Sequence, residues 1–304
     1  GDKLAYKSND PKVKESIGES WEISGVQDNI SVVSEGALEG NSLQELTEIY
    51  MGDLVGDKIY EKFGIEFPLL IKYIDNLSIQ VHPDDATAKA RHNAYGKTEM
   101  WYLVGADRDA ELIMGFNKDT DKSEYLTALH NHTLPVLLNT EKVEKGDCFF
   151  IPAGTVHAIC KGCYIAEIQQ TSDITYRIYD YDRRDKNGNP RELHTELATD
   201  VINFCEQKQH SIHYHQHENH TEELVSCNYF TTNYLKFDKE VEKDYIELDS
   251  FVIYMCLEGN FTLVYDVDKT VKVNKGETIL VPAILKNLFL IPETEAEILE
   301  IYIR

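Results

Sequence analysis

The chain has 304 residues, of which 42% are apolar, 10% aromatic and 27% charged, a globular composition that excludes disorder and can bury one large core or two of ordinary size. Its 53 acidic residues against 30 basic ones give a formal charge of −23, which repels nucleic acid and anionic membranes and sets both aside as partners. The same field opposes an anionic small molecule, so a site for one must concentrate Lys and Arg locally.

Read in chain order, Ser42 to Gly52 has helical spacing, opened by a Ser cap with Glu45 three residues on. Phe67 to Ile74, Met100 to Val104, Cys148 to Ile151 and Tyr164 to Ile168 are apolar or alternating runs that predict strands, and helical spacing returns at Asp121 to His130 and Glu192 to Glu206. Further strands are predicted at Phe251 to Leu257, Phe261 to Tyr265, Thr278 to Val281 and Ile298 to Ile303. The architecture is therefore mainly β, a sandwich or barrel with small helical insertions. Between these runs, His210, His213, His215, His217 and His220 stand among Gln, Glu and Asn, and with no carboxylate or Cys set to close a site they are expected to be a solvated connector.

No segment reaches the roughly 20 apolar residues of a membrane span, and Gly1 to Lys7 lacks the apolar run of a secretory signal. Six scattered cysteines, Cys148, Cys160, Cys163, Cys205, Cys227 and Cys256, do not make a disulfide framework, so reduced thiols and a cytoplasmic location are expected. The lone CxxC, Cys160 to Cys163, encloses Lys-Gly, a hairpin turn between two strands.

A weak internal repeat relates Gly146-Asp-Cys-Phe-Phe-Ile-Pro152-Ala-Gly154-Thr-Val-His157 to Gly276-Glu-Thr-Ile-Leu-Val-Pro282-Ala-Ile284-Leu-Lys-Asn287. A turn Gly starts each strand and a Pro ends it, so that the residue five after Pro is expected to point inward. That residue is His157 in the first copy and Asn287 in the second. The first copy resembles the second motif of the cupin superfamily, G-x5-P-x-G-x2-H, whose double-stranded β-helix holds a metal on that His. Two cupin-type halves are expected: residues 1–205, catalytic with a helical insertion, and residues 206–304, degenerate and without ligands, the boundary falling near 206 to 222.

In Ser78-Ile79-Gln80-Val81-His82-Pro83-Asp84-Asp85, strand alternation projects Gln80 and His82 to one side and Ile79 and Val81 to the other. Gly96-Lys97-Thr98-Glu99-Met100-Trp101-Tyr102 places Lys97 and Glu99 together in the same way. With His157, an amide oxygen, two imidazoles and a carboxylate form an N/O set that suits zinc with a position open for water or substrate.

SIQVHPDD, GKTEMWY and IPAGTVHAI, together with Ile17-Gly18-Glu19-Ser20-Trp21-Glu22-Ile23-Ser24, resemble the signature segments of the type I mannose-6-phosphate isomerases. The likeness is strongest over residues 17 to 183. A Trp-Gly segment usual near the start of that family is absent, and the compact length resembles its short bacterial form. The resemblance implies one zinc ion per chain on Gln80, His82, Glu99 and His157, a small sugar phosphate as substrate, and aldose–ketose isomerisation through an enediol or enediolate with no organic cofactor. It also implies an active-site arginine at Arg177 and an upstream Glu at Glu167, the candidate proton carrier with Lys97 as its rival; Ser78 and Lys97 are candidate substrate contacts. Two alternatives stand beside this reading: a non-haem iron cupin oxygenase, which Gln80 argues against, and a non-enzymatic sugar-binding bicupin.

Overall fold

The computed structural model describes residues 4, 7, 17–75, 77–181, 188–206, 210–267 and 269–304, so most of the stretch Gly1 to Lys7 lies outside the described residues. Two compact units form: Gly1–Trp21 with Ile71–Ile212, and Glu22–Leu70 with His213–Arg304. The segment Glu22–Leu70, placed with the first half in the linear division at 205/206, thus groups with the C-terminal half.

The first unit carries the start of β1 (Glu19–Ser24), most of β2 (Leu69–Ile74), and β3 (Ile79–Val81), β4 (Glu99–Ala106), β5 (Glu111–Phe116), β6 (Leu138–Lys142), β7 (Cys148–Ile151), β8 (His157–Ile159), β9 (Cys163–Gln170) and β10 (Tyr176–Tyr179). They make two five-stranded sheets, β1-β2-β9-β4-β7 and β10-β3-β8-β5-β6. Trp101, Leu103, Phe149, Ile151 and Ile165 from the first sheet cluster with Leu112, Met114 and Ile159 from the second, so one apolar core lies between the sheets. A second cluster, on Ile79, Val81, Ala158, Tyr176 and Ile178, packs against Tyr125 and Ala128 of the helix Lys122–His130. Sheet two is therefore apolar on its helix-covered face, which leaves the intervening residues to face the other way. Cys160 and Cys163 bracket the turn from β8 to β9, and all six cysteines are free thiols.

The second unit carries β11 (Thr221–Ser226), β12 (Thr231–Phe237), β13 (Val241–Asp244), β14 (Val252–Tyr265), β15 (Lys269–Asn274), β16 (Thr278–Val281) and β17 (Asn287–Tyr302) in one sheet of order β11-β12-β17-β14-β15, with β13 also on β17 and β16 on β14. The predicted strands 251–257 and 261–265 are one strand of 14 residues, and 298–303 is the end of one of 16. Register shifts between Cys256 and Glu258 and between Gly259 and Phe261 bend this pair. Gly259 sits at φ +71, and a Cβ there would lie 2.0 Å from the Glu295 carbonyl oxygen, so the bend requires glycine. The helix Leu43–Tyr50 has the predicted capping box between Ser42 and Glu45, whereas the run Glu192 to Glu206 is helical only over Thr195–Thr199. Two short helices, Gly52–Val55 and Asp57–Phe63, escaped the reading, as did Asp85–His92, capped by Asp84. No helix among the described residues is long and apolar enough to cross a membrane.

The two halves repeat in register. Ile151 pairs with Glu99 as Val281 pairs with Val252, and Trp101 faces Glu167 as Tyr254 faces Glu300. A valine thus stands where Glu99 stands. Asn287, expected to point inward, is exposed; Leu288 and Leu290 take the inward phase of β17 instead. With no ligand to present, the strand aims its apolar set at the core, and a one-residue change of phase turns every neighbour over.

Candidate metal centre

Gln80 is the middle residue of a rung that runs Arg177–Gln80–His157 across β10, β3 and β8. Directly paired residues of antiparallel strands share a face, so this rung points into the space between the sheets, opposite Ile79 and Val81. Glu99 approaches from the other sheet, at the head of β4, paired with Gln169 and Ile151. Pro83 accepts from the Lys97 backbone N–H at 3.1 Å and the Asp85 carboxylate accepts from that of Gly96 at 2.9 Å, which ties the GKTE segment to VHPDD. At Gly96 a Cβ would come within 2.5 Å of the Asp85 nitrogen, so only glycine permits this approach.

Ligand-type atoms of His82, Glu99 and His157 all lie within 4.8 Å of one another, and this is the metal-capable His/Cys/Asp/Glu group found among the described residues. The His-rich stretch forms no such group; His217 instead pairs with Glu222. His82 Nδ1 donates to the Ile174 carbonyl at 2.8 Å and His157 Nδ1 to that of Thr155 at 2.9 Å. A carbonyl can only accept, so each Nε2 is the bare nitrogen, aimed at Glu99 at 3.5 and 3.2 Å. Burial and the Lys97 charge push both imidazoles below their ordinary range, His157 to about 3, so they are neutral. Gln80 brings its amide within 3.4 Å of one Nε2 and 3.3 Å of the other.

Glu99 is fully buried, and neither of its oxygens receives a hydrogen bond of good geometry among the described residues. Burial first, then the Glu167 charge, push its carboxyl up to about 7 against the pull of Lys97. Lone pairs from two neutral rings and a buried carboxylate whose cationic partner is Lys97 converge on one point, a good arrangement around a metal ion. The residues fit a metal ion.

Lys97 Nζ lies 3.0 Å from Glu99 and 3.1 Å from His82. Glu167, one rung further along β9, binds Lys72 at 2.9 Å and accepts from Trp101 Nε1 at 2.8 Å, with Lys97 at 3.8 Å. Burial raises its carboxyl, but these two cations and two hydrogen bonds outweigh it and hold the group at about 2. The expected proton carrier is therefore a fixed anion, a poor vehicle for a proton near neutral pH, because the ion pairs that orient it also lock its charge. Arg177 reaches past the rung to donate to the Glu192 carbonyl at 3.0 Å.

A cavity of about 250 Å³ opens beside the ligand set, lined by Ser78, Gln80, Lys97 and Arg177, together with Lys72, Glu19 and Arg191. Every candidate residue from the sequence thus falls in one region. Lys72, Glu19 and Arg191 were missed; only Lys72 left a trace, as a lone charge inside the fully buried strand Leu69–Ile74.

Residues 2–130 match the family model for the catalytic domain of type I phosphomannose isomerase. Over 274 residues the chain is 37% identical to the mannose-6-phosphate isomerase ManA of Bacillus subtilis (strain 168), spanning 87% of this chain and 83% of that protein. The chain belongs to the type I phosphomannose isomerase family. The mannose-6-phosphate isomerase of Streptococcus mutans is 42% identical over 191 residues, 62% of this chain and 58% of its own. The crystal structure of the mannose 6-phosphate isomerase from Bacillus subtilis superposes with a TM-score of 0.88 at 32% identity, covering 100% of this chain and 95% of that one. The mainly β cupin fold expected from the repeat is the fold of this phosphomannose isomerase family, and membership favours neither the oxygenase nor the storage-type alternative.

Proposed function

We propose that the chain is a zinc-dependent aldose–ketose isomerase interconverting mannose 6-phosphate and fructose 6-phosphate in the cytoplasm. The observation that best supports this reading is the convergence of His82, Glu99 and His157 beside a cavity lined by four cationic side chains, on a chain whose overall charge is strongly negative. Gln80, His82, Glu99 and His157 would hold one ion per chain; a half-turn of the Gln80 amide exchanges its oxygen for its nitrogen and offers the fourth ligand atom. The ion when bound supplies Lewis-acid polarisation of substrate oxygens, worth several kcal/mol against developing negative charge.

Lys97 moves the proton between C1 and C2, its Nζ lining the cavity and touching Glu99 and His82. Glu167, itself oriented by Lys72, faces that Nζ as a fixed counter-charge rather than exchanging protons with substrate. The Arg177 guanidinium, planar and permanently charged, stabilises the enediolate, and Ser78 offers its hydroxyl to the sugar.

A coupled isomerase assay before and after chelation, with zinc restored and metal content measured, tests the reading. Activity in the zinc-loaded protein that vanishes on chelation is expected; no turnover in the zinc-loaded protein, or full turnover once metal is removed, overturns it. In Arg177→Ala zinc is retained and kcat falls about 100-fold, and a near-normal kcat removes Arg177 from the chemistry.

A further inference from the structure

Gln80 and Lys97 line the cavity next to the candidate ligands, and Arg191 lines the same cavity from a segment outside both sheets. That segment runs antiparallel to β10: the Arg177 N–H donates to His194 Nδ1 at 3.1 Å, and the His194 N–H donates to the Arg177 carbonyl at 2.8 Å. The same register brings Arg191 opposite Asp180, whose carboxylate accepts from Arg191 Nε at 2.7 Å and from Nη2. The guanidinium is thus clamped along one edge. Among the described residues no acceptor engages Nη1, and the side chain is 43% exposed.

Of the other three cations of the cavity, Arg177 donates to the Glu192 carbonyl and the two lysines are held by carboxylates. Lys72 is buried and bound to Glu167 and Glu19, and Lys97 to Glu99 and Glu167. Both have their charge absorbed by carboxylates of the first sheet. Arg191 keeps two N–H donors on a rigid, oriented fork, the arrangement that recognises a tetrahedral anion best. An aldose phosphate carries its phosphate at the opposite end from C1 and C2, where the isomerisation takes place.

We propose that Arg191 is the phosphate anchor of this site, receiving the substrate phosphate on Nη1 while Asp180 fixes its orientation. The assignment rests on the sugar-phosphate reading above. Arg191 is then a specificity-determining residue: it selects phosphorylated over unphosphorylated sugars and leaves the chemical step alone.

The test compares the zinc-loaded wild type with Arg191→Ala, Arg191→Lys and Asp180→Asn. It measures kcat and KM with mannose 6-phosphate, and the binding of inorganic phosphate by calorimetry. Arg191→Ala is expected to raise KM about 10- to 100-fold with kcat little changed and to weaken phosphate binding by a similar factor. Arg191→Lys should recover part of both, and Asp180→Asn should lie between. Unchanged KM and phosphate affinity overturn the anchor. A fall in kcat with KM and phosphate affinity intact also overturns it, pointing to a loop that merely supports Arg177. Failure of the sugar-phosphate reading is distinguishable, because it appears as an inactive wild type whose phosphate binding can still be compared with that of the variants.

Discussion

A carboxyl group sealed from water ordinarily gives up its charge, and Glu167 keeps its own because Lys72, Lys97 and Trp101 surround it. Its folded value of about 2 lies below the roughly 4.3 of an unfolded glutamate. The group therefore contributes stability that is fully present above about pH 4.5 and is lost as the pH falls towards 2. Urea unfolding at about pH 5.5 and about pH 3 should show the wild type losing more stability across this interval than Glu167→Gln. Equal losses would detach Glu167 from the acid sensitivity. The convergence of Gln80, His82 and His157 was legible because alternation alone makes Gln80 and His82 neighbours, and the repeat singled out His157. Lys72, Glu19 and Arg191 were not, since their partners lie tens of positions away and nothing local marks the encounter: 95 residues separate Lys72 from Glu167 by their numbering, and Arg191 becomes informative only once Asp180 lies across from it.

Among the elements, β14 and β17 show how a rung can outlive its purpose. Tyr254 and Glu300 occupy the places of Trp101 and Glu167, and Glu300 is buried with Lys243 at 2.9 Å, Asn233 at 2.8 Å and the Tyr245 hydroxyl as partners. Removing one partner strands the other's charge. Glu300→Ala is expected to cost about 3–5 kcal/mol, while Lys243→Met with Glu300→Leu should recover most of it; urea denaturation of the three proteins checks this, and a double variant no better than the single one would contradict it. Metal content should not change in either. The same strands mark the limit of the sequence pattern: Gly259 and Pro292 interrupt the apolar run, so two long bent strands read as three short ones, with residues 287–297 unassigned. Asn287 departs from the expected phase because equal spacing from Pro does not impose equal facing, and a purely apolar core has no reason to keep it.

For the whole molecule, the acidic composition demanded a local concentration of cations, and the cavity with Lys72, Lys97, Arg177 and Arg191 meets it. The division into units was less accessible, because helices of Glu22–Leu70 find their partners at the far end of the chain. Within the second unit Phe67 stacks on Phe251 with ring centroids 4.6 Å apart, the Ala283 N–H donates to Leu54, and the Asp249 carboxylate accepts from the backbone of Asp57 and Lys58. A truncation ending at residue 205 leaves Leu54, Val55 and Phe67 without these neighbours. It is expected to be soluble poorly or not at all and to lack a cooperative urea transition, whereas the full chain has one; a cooperative, metal-binding 1–205 fragment would refute this.

The interleaved second unit also sets an order of events during synthesis. The segment Glu22–Leu70 leaves the ribosome early, yet Asp57 waits 192 positions for Asp249. Every strand of the candidate metal centre is made in the meantime. The nascent chain therefore carries an uncovered apolar face on an older stretch of itself until His213–Arg304 arrives as its tardy shelter.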